Sequence, residues 1–321
     1  MRALVTGAAG FVGQWLCRAL LAEGWQVTGA TLEASPNNPL LTPEEQRAVS
    51  WVMADVRRAA DIRAALDAAQ SPDAIFHLAG VSFVPGAASD PGLTCEVNVV
   101  AAARLLGEVR VRRRAGVLDP VVVVVGSAEQ YGRHDAADLP LAEDAEQRPL
   151  TVYAASKAAQ EVFALEAFRS EGVRVVATRS FNHSGAGQAQ HFLLPALVRR
   201  AMALRGDASD GKLMIGNRDT VRDFLHVRDV VRAYILLAER GVAGEAYNVS
   251  SGVGRRVEDL AAEALAALGV RAELTTDPAL ARKVEVPALV GDSTKLRRAT
   301  GWAPALGTSD IIHDLIHAAT H

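Results

Sequence analysis

The chain has 321 residues, 50% of them hydrophobic and 22% charged, with a net charge of -3. That length suits two lobes that each bury a core. The balanced charge argues against nucleic acid as a partner, and the densest basic run, Arg110 to Arg114 broken by Val111, reads as the end of a solvated helix. Only Cys17 and Cys95 occur, so no disulfide framework is expected and a reducing compartment fits. The chain opens on a strand pattern with no signal-peptide cleavage site, and the aliphatic run 121–125 is too short to cross a bilayer. The expectation is a cytoplasmic protein with no membrane partner.

Residues 2–6 read as a short apolar strand and 14–23 as a helix. Between them stands Gly7-Ala-Ala-Gly10-Phe11-Val12-Gly13, a G-x-x-G-x-x-G in the strand-to-helix context that gives it meaning. Gly7 allows the tight turn, Gly10 lets a pyrophosphate approach the backbone, and Gly13 lets the helix sit close to the sheet. The free N–H groups at the helix start receive phosphates. The whole turn, Phe11 and Val12 included, is assigned to a cofactor.

Residues 24–30 form the second strand, whose end reads the cofactor ribose. An acid there favours NAD, and a nearby Arg accommodates NADP. Thr31, Leu32 and Glu33 fit neither rule; Glu33 reads equally as a ribose ligand or a surface charge, and Thr31 is counted with the cofactor site. Residues 33–50, with Pro36, Pro39 and Pro43, read mostly as a loop. The third strand spans 51–56, and Asp55, beside Val56 at its end, is placed either to contact adenine or to cap a helix. Residues 61–69 have helical spacing. The fourth strand, 74–80, ends in Leu78, Ala79 and Gly80, small enough to leave room for a cofactor, and His77 reads as a satisfied core histidine. A helix over 93–113 contains Asn98, unfavourable in a helix interior and so expected to bond backbone near the site.

The five valines 121–125 are too uniformly β-branched for anything but a buried parallel strand. Ser127 and Glu129 follow at its carboxyl end, where open α/β sheets bind ligands. Ser127 can bond a substrate oxygen, and Glu129 can touch the same sugar. Tyr153-Ala-Ala-Ser-Lys157 then places a phenol and an ammonium one helical turn apart. A phenol titrates near ~10, and a nearby ammonium favours its phenolate. The pair becomes a general acid/base for an alcohol or ketone. Alone the pattern reads more readily as an exposed helix pair; the glycine turn and Ser127 raise it.

Beyond the strand 173–178 the strand–helix alternation weakens. Helices are expected over 192–204, 230–239, 258–268, 292–299 and 309–319, strands over 213–216 and 247–250, and extended chain over 282–287. His313 and His317 have the i, i+4 spacing of a zinc helix, but Asp stands where the metalloprotease pattern needs Glu and no third ligand is visible, so no metal is expected.

Taken together, the chain resembles the extended short-chain dehydrogenase/reductases that act on nucleotide sugars. Gly7-x-x-Gly10-x-x-Gly13, His77-Leu-Ala-Gly80, Ser127 and Tyr153-x-x-x-Lys157 carry that likeness. Further stretches resemble the GDP-4-keto-6-deoxy-D-mannose reductases and, in part, the related GDP-mannose 4,6-dehydratases: 126–132, 181–188, 221–229, 247–252 and 285–287 with Gly301-Trp302. The resemblance implies an α/β fold, a Rossmann-type doubly wound parallel sheet with a smaller C-terminal α/β substrate lobe. Residues 1–182 with about 220–250 would bind NADP(H) or NAD(H), and 183–219 with 251–321 the nucleotide sugar. It implies Ser127, Tyr153 and Lys157 as catalytic residues, Lys157 also on the nicotinamide ribose, and Glu129 where a dehydratase keeps a base. Ser82, Asn182, Leu193, Arg222, Arg282 and Glu285 would bind a GDP-sugar, and the chain would form a homodimer or homotetramer. Leu32 and Glu33 depart from the arginine common in relatives. Three enzyme readings stand, a C4 reductase, a 4,6-dehydratase and a C4 epimerase, beside a nucleotide sensor without turnover.

Overall fold

The computed structural model describes residues 1–33, 40–205, 211–280 and 286–320. In chain order the first strands are β1 (Arg2–Thr6), β2 (Gln26–Thr31), β3 (Val49–Met53), β4 (Ala74–His77), β5 (Val121–Ser127), β6 (Val175–Ser180) and β7 (Asn182–Ser184). They are followed by β8 (Gly211–Ile215), β9 (Val221–His226), β10 (Glu245–Val249), β11 (Gly254–Arg256), β12 (Ala272–Thr276) and β13 (Ala288–Leu289). The helices are α1 (Phe11–Ala22), α2 (Pro43–Ala48), α3 (Ala59–Ala68), α4 (Val84–Ser89), α5 (Pro91–Cys95) and α6 (Ala101–Arg114). After them come α7 (Val152–Glu171), α8 (Leu193–Ala203), α9 (Val227–Arg240), α10 (Val257–Leu268), α11 (Thr294–Thr300) and α12 (Thr308–Thr320).

Seven strands form one parallel sheet in the order β10-β6-β5-β4-β1-β2-β3. Side chains alternate across a strand, so a run of valines can serve both faces. Val123 packs with Trp15, Leu16 and Leu20 of α1 and Val230 and Tyr234 of α9. Val122 and Val124 pack on the other face with Ile62 and Leu66 of α3, Leu105 and Val109 of α6 and Ala164 of α7. Fully burying one such side chain contributes about 1.5–3 kcal/mol. The sheet is thus covered by helices on both faces, the doubly wound arrangement expected from the sequence.

A smaller lobe follows. β9 is bordered by β11, β13 and β7, and β8 pairs with β12. A separate core joins Leu194 and Leu197 of α8, Leu260 and Leu265 of α10, Ile311 of α12 and Phe224 of β9. The segment 220–250 is divided between the sheets: β9 joins the small one, and only α9 and β10 return to the large one.

Two stretches differ from expectation in the described residues. Within 33–50, of which 34–39 lie outside the described residues, Thr42 and Glu45 close a capping box over α2, and strand β3 already starts at Val49. The expected helix 93–113 is broken into α5, a π-helical turn at Glu96–Val100, and α6. Most of the expected extended stretch, 282–285, lies outside the described residues.

Candidate active site

The strand order turns back between β1 and β4, so their carboxyl ends part and open a crevice. A cleft of ≈ 980 Å³ begins there and runs along the ends of β5 and β6 toward α8. Its floor is the turn from Gly7 to Gly13, with Phe11 and Val12. Gly7 has φ +71°, and a Cβ on it would stand 2.8 Å from Ala79 N. A Cβ on Gly13 would stand 2.2 Å from the Gly7 carbonyl oxygen, so α1 could not approach the turn. Backbone N–H groups at the start of α1 are thereby presented to an anion. This cradle fits a dinucleotide pyrophosphate.

One wall carries Thr31, Leu32 and Glu33 from the end of β2 and Asp55 and Val56 from beyond β3. Asp55 lines this wall while paired with Arg57. Both its oxygens accept from Arg57, at 2.6 Å from Nη2 and 2.9 Å from Nε, and these hydrogen bonds hold its carboxyl below the usual range. Arg57 itself lines the cleft. Leu78, Ala79, Gly80 and Ser82 line the next section. Asn98 lies behind that wall: its Oδ1 accepts from Val81 N at 2.8 Å and its Nδ2 donates to Ser156 Oγ at 2.8 Å. The backbone bond expected of it exists, made from the π-helical turn. His77 is only half satisfied, with Nδ1 2.9 Å from Thr6 Oγ1 and a buried Nε2 without a partner among the described residues. Burial, helped by Lys157, pushes it down to about 3.

The far section brings Ser127, Glu129, Tyr153 and Lys157 together. α7 is capped by Thr151, whose side chain accepts from Ala154 N, so Tyr153 and Lys157 lie in its first two turns. Ser127 ends β5; its Oγ accepts from Glu129 N at 3.2 Å, and it hydrogen-bonds with the Tyr153 hydroxyl. Lys157 Nζ donates to the Val125 carbonyl at 2.8 Å and to Gln160 Oε1 at 2.9 Å. Gly80 lies against both Asn98 and Lys157: a Cβ there would stand 2.9 Å from Asn98 Oδ1 and 3.4 Å from Lys157 Nζ. Protein atoms alone do not bring the phenol down. Burial disfavours both charged forms, pushing Tyr153 up to about 12 and Lys157 down to about 8, so the amine loses its proton first.

Of the remaining expected residues, Asn182 and Leu193 line the cleft, whereas Arg222 is buried in β9 and does not. Arg282 and Glu285 lie outside the described residues. Several lining residues escaped the sequence. Tyr234 of α9 reaches in, its hydroxyl 2.7 Å from Ser180 Oγ. His183 stacks on Phe11, with Nδ1 donating to the Phe181 carbonyl at 2.9 Å. Phe83 and His191, with ring centroids 4.3 Å apart, meet at the rim. Only Arg57 had a local signal, its two-residue spacing from Asp55; the others come together through the fold.

A glycine cradle at the sheet's switch point, with Ser, Tyr and Lys at its far end, defines an enzyme of the extended short-chain dehydrogenase/reductase class. Residues 4–315 match the family described as GDP-mannose 4,6 dehydratase, and the chain belongs to that family. It is 34% identical over 306 residues to the GDP-6-deoxy-D-mannose reductase of Pseudomonas aeruginosa, covering 95% of this chain and 92% of that one. It is 31% identical to the UDP-glucose 4-epimerase of Mycolicibacterium smegmatis, covering 97% and 96%. Among solved structures, RMD from Pseudomonas aeruginosa complexed with NADPH superposes with a TM-score of 0.82 at 28% identity over 100% of both chains. The Thermus thermophilus UDP-glucose 4-epimerase complex with NAD gives 0.84 at 27%, over 99% and 98%.

Proposed function

We propose that the protein reduces the C4 ketone of GDP-4-keto-6-deoxy-D-mannose to GDP-D-rhamnose, using NADPH or NADH. The observation that carries this reading is the meeting of Ser127, Tyr153 and Lys157 in one wall of a cleft that starts at the glycine cradle. Likeness to a GDP-6-deoxy-D-mannose reductase supplies the sugar. Gly7, Gly10 and Gly13 would hold the pyrophosphate, and Lys157 the nicotinamide ribose. Thr31, Asp55 and Val56 would flank the adenosine, and Leu78, Ala79 and Gly80 the middle of the cofactor, with Asn98 bracing them from behind. A bound nicotinamide dinucleotide supplies the hydride.

The chain's own residues handle the proton. Tyr153, raised by burial, is protonated at neutral pH, as a waiting acid must be. Its hydroxyl gives that proton to the ketone oxygen. Ser127 donates a hydrogen bond to the same oxygen and strengthens its polarisation. The Lys157 ammonium stabilises the phenolate left behind. Ser82, Asn182 and Leu193 would meet the sugar diphosphate, with Arg282 and Glu285 on the nucleotide and Arg222 supporting that end.

One observation favours a second reading. Glu129 stands in the cleft wall two residues past Ser127, where a base could remove the C5 proton in a 4,6-dehydration. Purified protein supplied with GDP-4-keto-6-deoxymannose and NADPH or NADH should consume the nicotinamide absorbance. Conversion of GDP-mannose without net change in added cofactor would instead support the dehydratase. The protein is also proposed to be a homodimer through α6 and α7, which expose Val111, Val162 and Phe163.

A further inference from the structure

We propose that Gln160 is a positioning residue that keeps Lys157 Nζ charged and turned toward the cleft. The inference rests on the reductase reading for its chemical purpose and on geometry for its content. Lys157 is 4% exposed, and its ammonium has three N–H donors. One goes to the Val125 carbonyl at 2.8 Å and one to Gln160 Oε1 at 2.9 Å. Both acceptors are neutral, and Lys157 makes no ion pair among the described residues. The third N–H is left for the cleft that Lys157 lines. Two carbonyls therefore hold the charge without cancelling its field.

Gln160 shows the commitment from its own side. It is 0% exposed, one turn below Lys157, and its Nε2 has no partner among the described residues. A buried amide donor without a partner destabilises the fold. Turning the amide over would set two donors face to face, so the carbonyl must point at the lysine. The orphaned N–H₂ is the consequence of aiming that oxygen.

The titratable surroundings are few. From β4 comes His77, buried and neutral near pH 7. β5 contributes only the Val125 carbonyl. On α7 itself stand Tyr153 and Glu161, and Glu161 is bound to Arg179 of β6 at 2.7 Å. Tyr234 of α9 lies beyond Tyr153. With burial holding Lys157 down at about 8, gaining a negative charge or losing the carbonyl acceptor at position 160 should move it directly.

The test uses opposite signs. The sequence has four lysines, Lys157, Lys212, Lys283 and Lys295, so ¹⁵N-lysine-labelled protein gives a readable set of side-chain signals, with Lys157→Met identifying one. Gln160→Glu should raise the Lys157 midpoint by about one to three pH units. Gln160→Leu should lower it by about one. The alkaline limb of ketone reduction, where the ammonium is lost, should move up in the first variant and down in the second. If Gln160→Leu fails to fold, Gln160→Met replaces it. Midpoints equal to wild type in folded variants, or shifts of the same sign, overturn the proposal. If no ketone is reduced, the proposed function fails while the lysine titration still decides the role of Gln160.

Discussion

Tyr153 and Lys157 share one helix face and one burial, yet burial acts on them in opposite directions. The phenol is pushed up to about 12 and the ammonium down to about 8. Protein atoms alone therefore set Tyr153 to give a proton rather than to take one, which suits reduction of a ketone. Tyr153→Phe removes that proton and little volume. Single-turnover reduction should fall by roughly 10²–10⁴, while dinucleotide affinity, followed by fluorescence titration, should stay near wild type. Wild-type turnover in this variant would remove Tyr153 from the chemistry. These residues were legible because their meaning lies in local spacing: a turn of helix, a glycine turn, a polar residue ending a strand. Gln160 stands three residues past Lys157, but nothing in that spacing says that its oxygen faces the amine. Tyr234 and His183 reach the cleft from distant segments.

At the scale of elements, α7 is tied to β6 by the buried pair Glu161–Arg179, at 2.7 Å and less than 8% exposed on either side. Gln130 donates to the same carboxylate at 2.9 Å, and its Oε1 accepts from Ser127 N at 2.8 Å. Arg179 also donates to the Tyr131 hydroxyl at 2.9 Å. The network joins α7, the Ser127 turn and the sheet. Removing one partner leaves a buried charge alone, so Arg179→Met should cost about 3–5 kcal/mol in chemical denaturation. Arg179→Met with Glu161→Leu should cost less than Arg179→Met alone; an equal or larger loss would show that the charges are not what couples the elements. α2 shows how a present signal can be hidden. Thr42 and Glu45 spell a capping box, but Pro43 between them reads as a breaker, although proline is tolerated at the first helical position. The π-helical turn at Glu96–Val100 had no comparable sequence signature beyond Asn98 itself.

At the scale of the molecule, the large sheet and the four-stranded sheet both reach one cleft, which Ser127 lines from β5 and Asn182, His183 and Phe224 line from β7 and β9. The large sheet was readable from its alternation of strand and helix. The small one was not, because β7, β9, β11 and β13 are short and combine parallel with antiparallel pairing. Beyond the cleft, α6 and α7 carry Val111 at 62%, Val162 at 63% and Phe163 at 46% exposure, an apolar face suited to a second copy of the chain. Phe163→Asp should shift sedimentation from dimer to monomer; a monomeric wild type would contradict that assembly.

The most direct test follows one hydrogen. With GDP-4-keto-6-deoxymannose and NADPH or NADH deuterated at the transferable position, the product should be GDP-D-rhamnose carrying deuterium at C4, read by NMR and mass spectrometry. Deuterium at C6, or none in the sugar while GDP-mannose is dehydrated, would contradict the account.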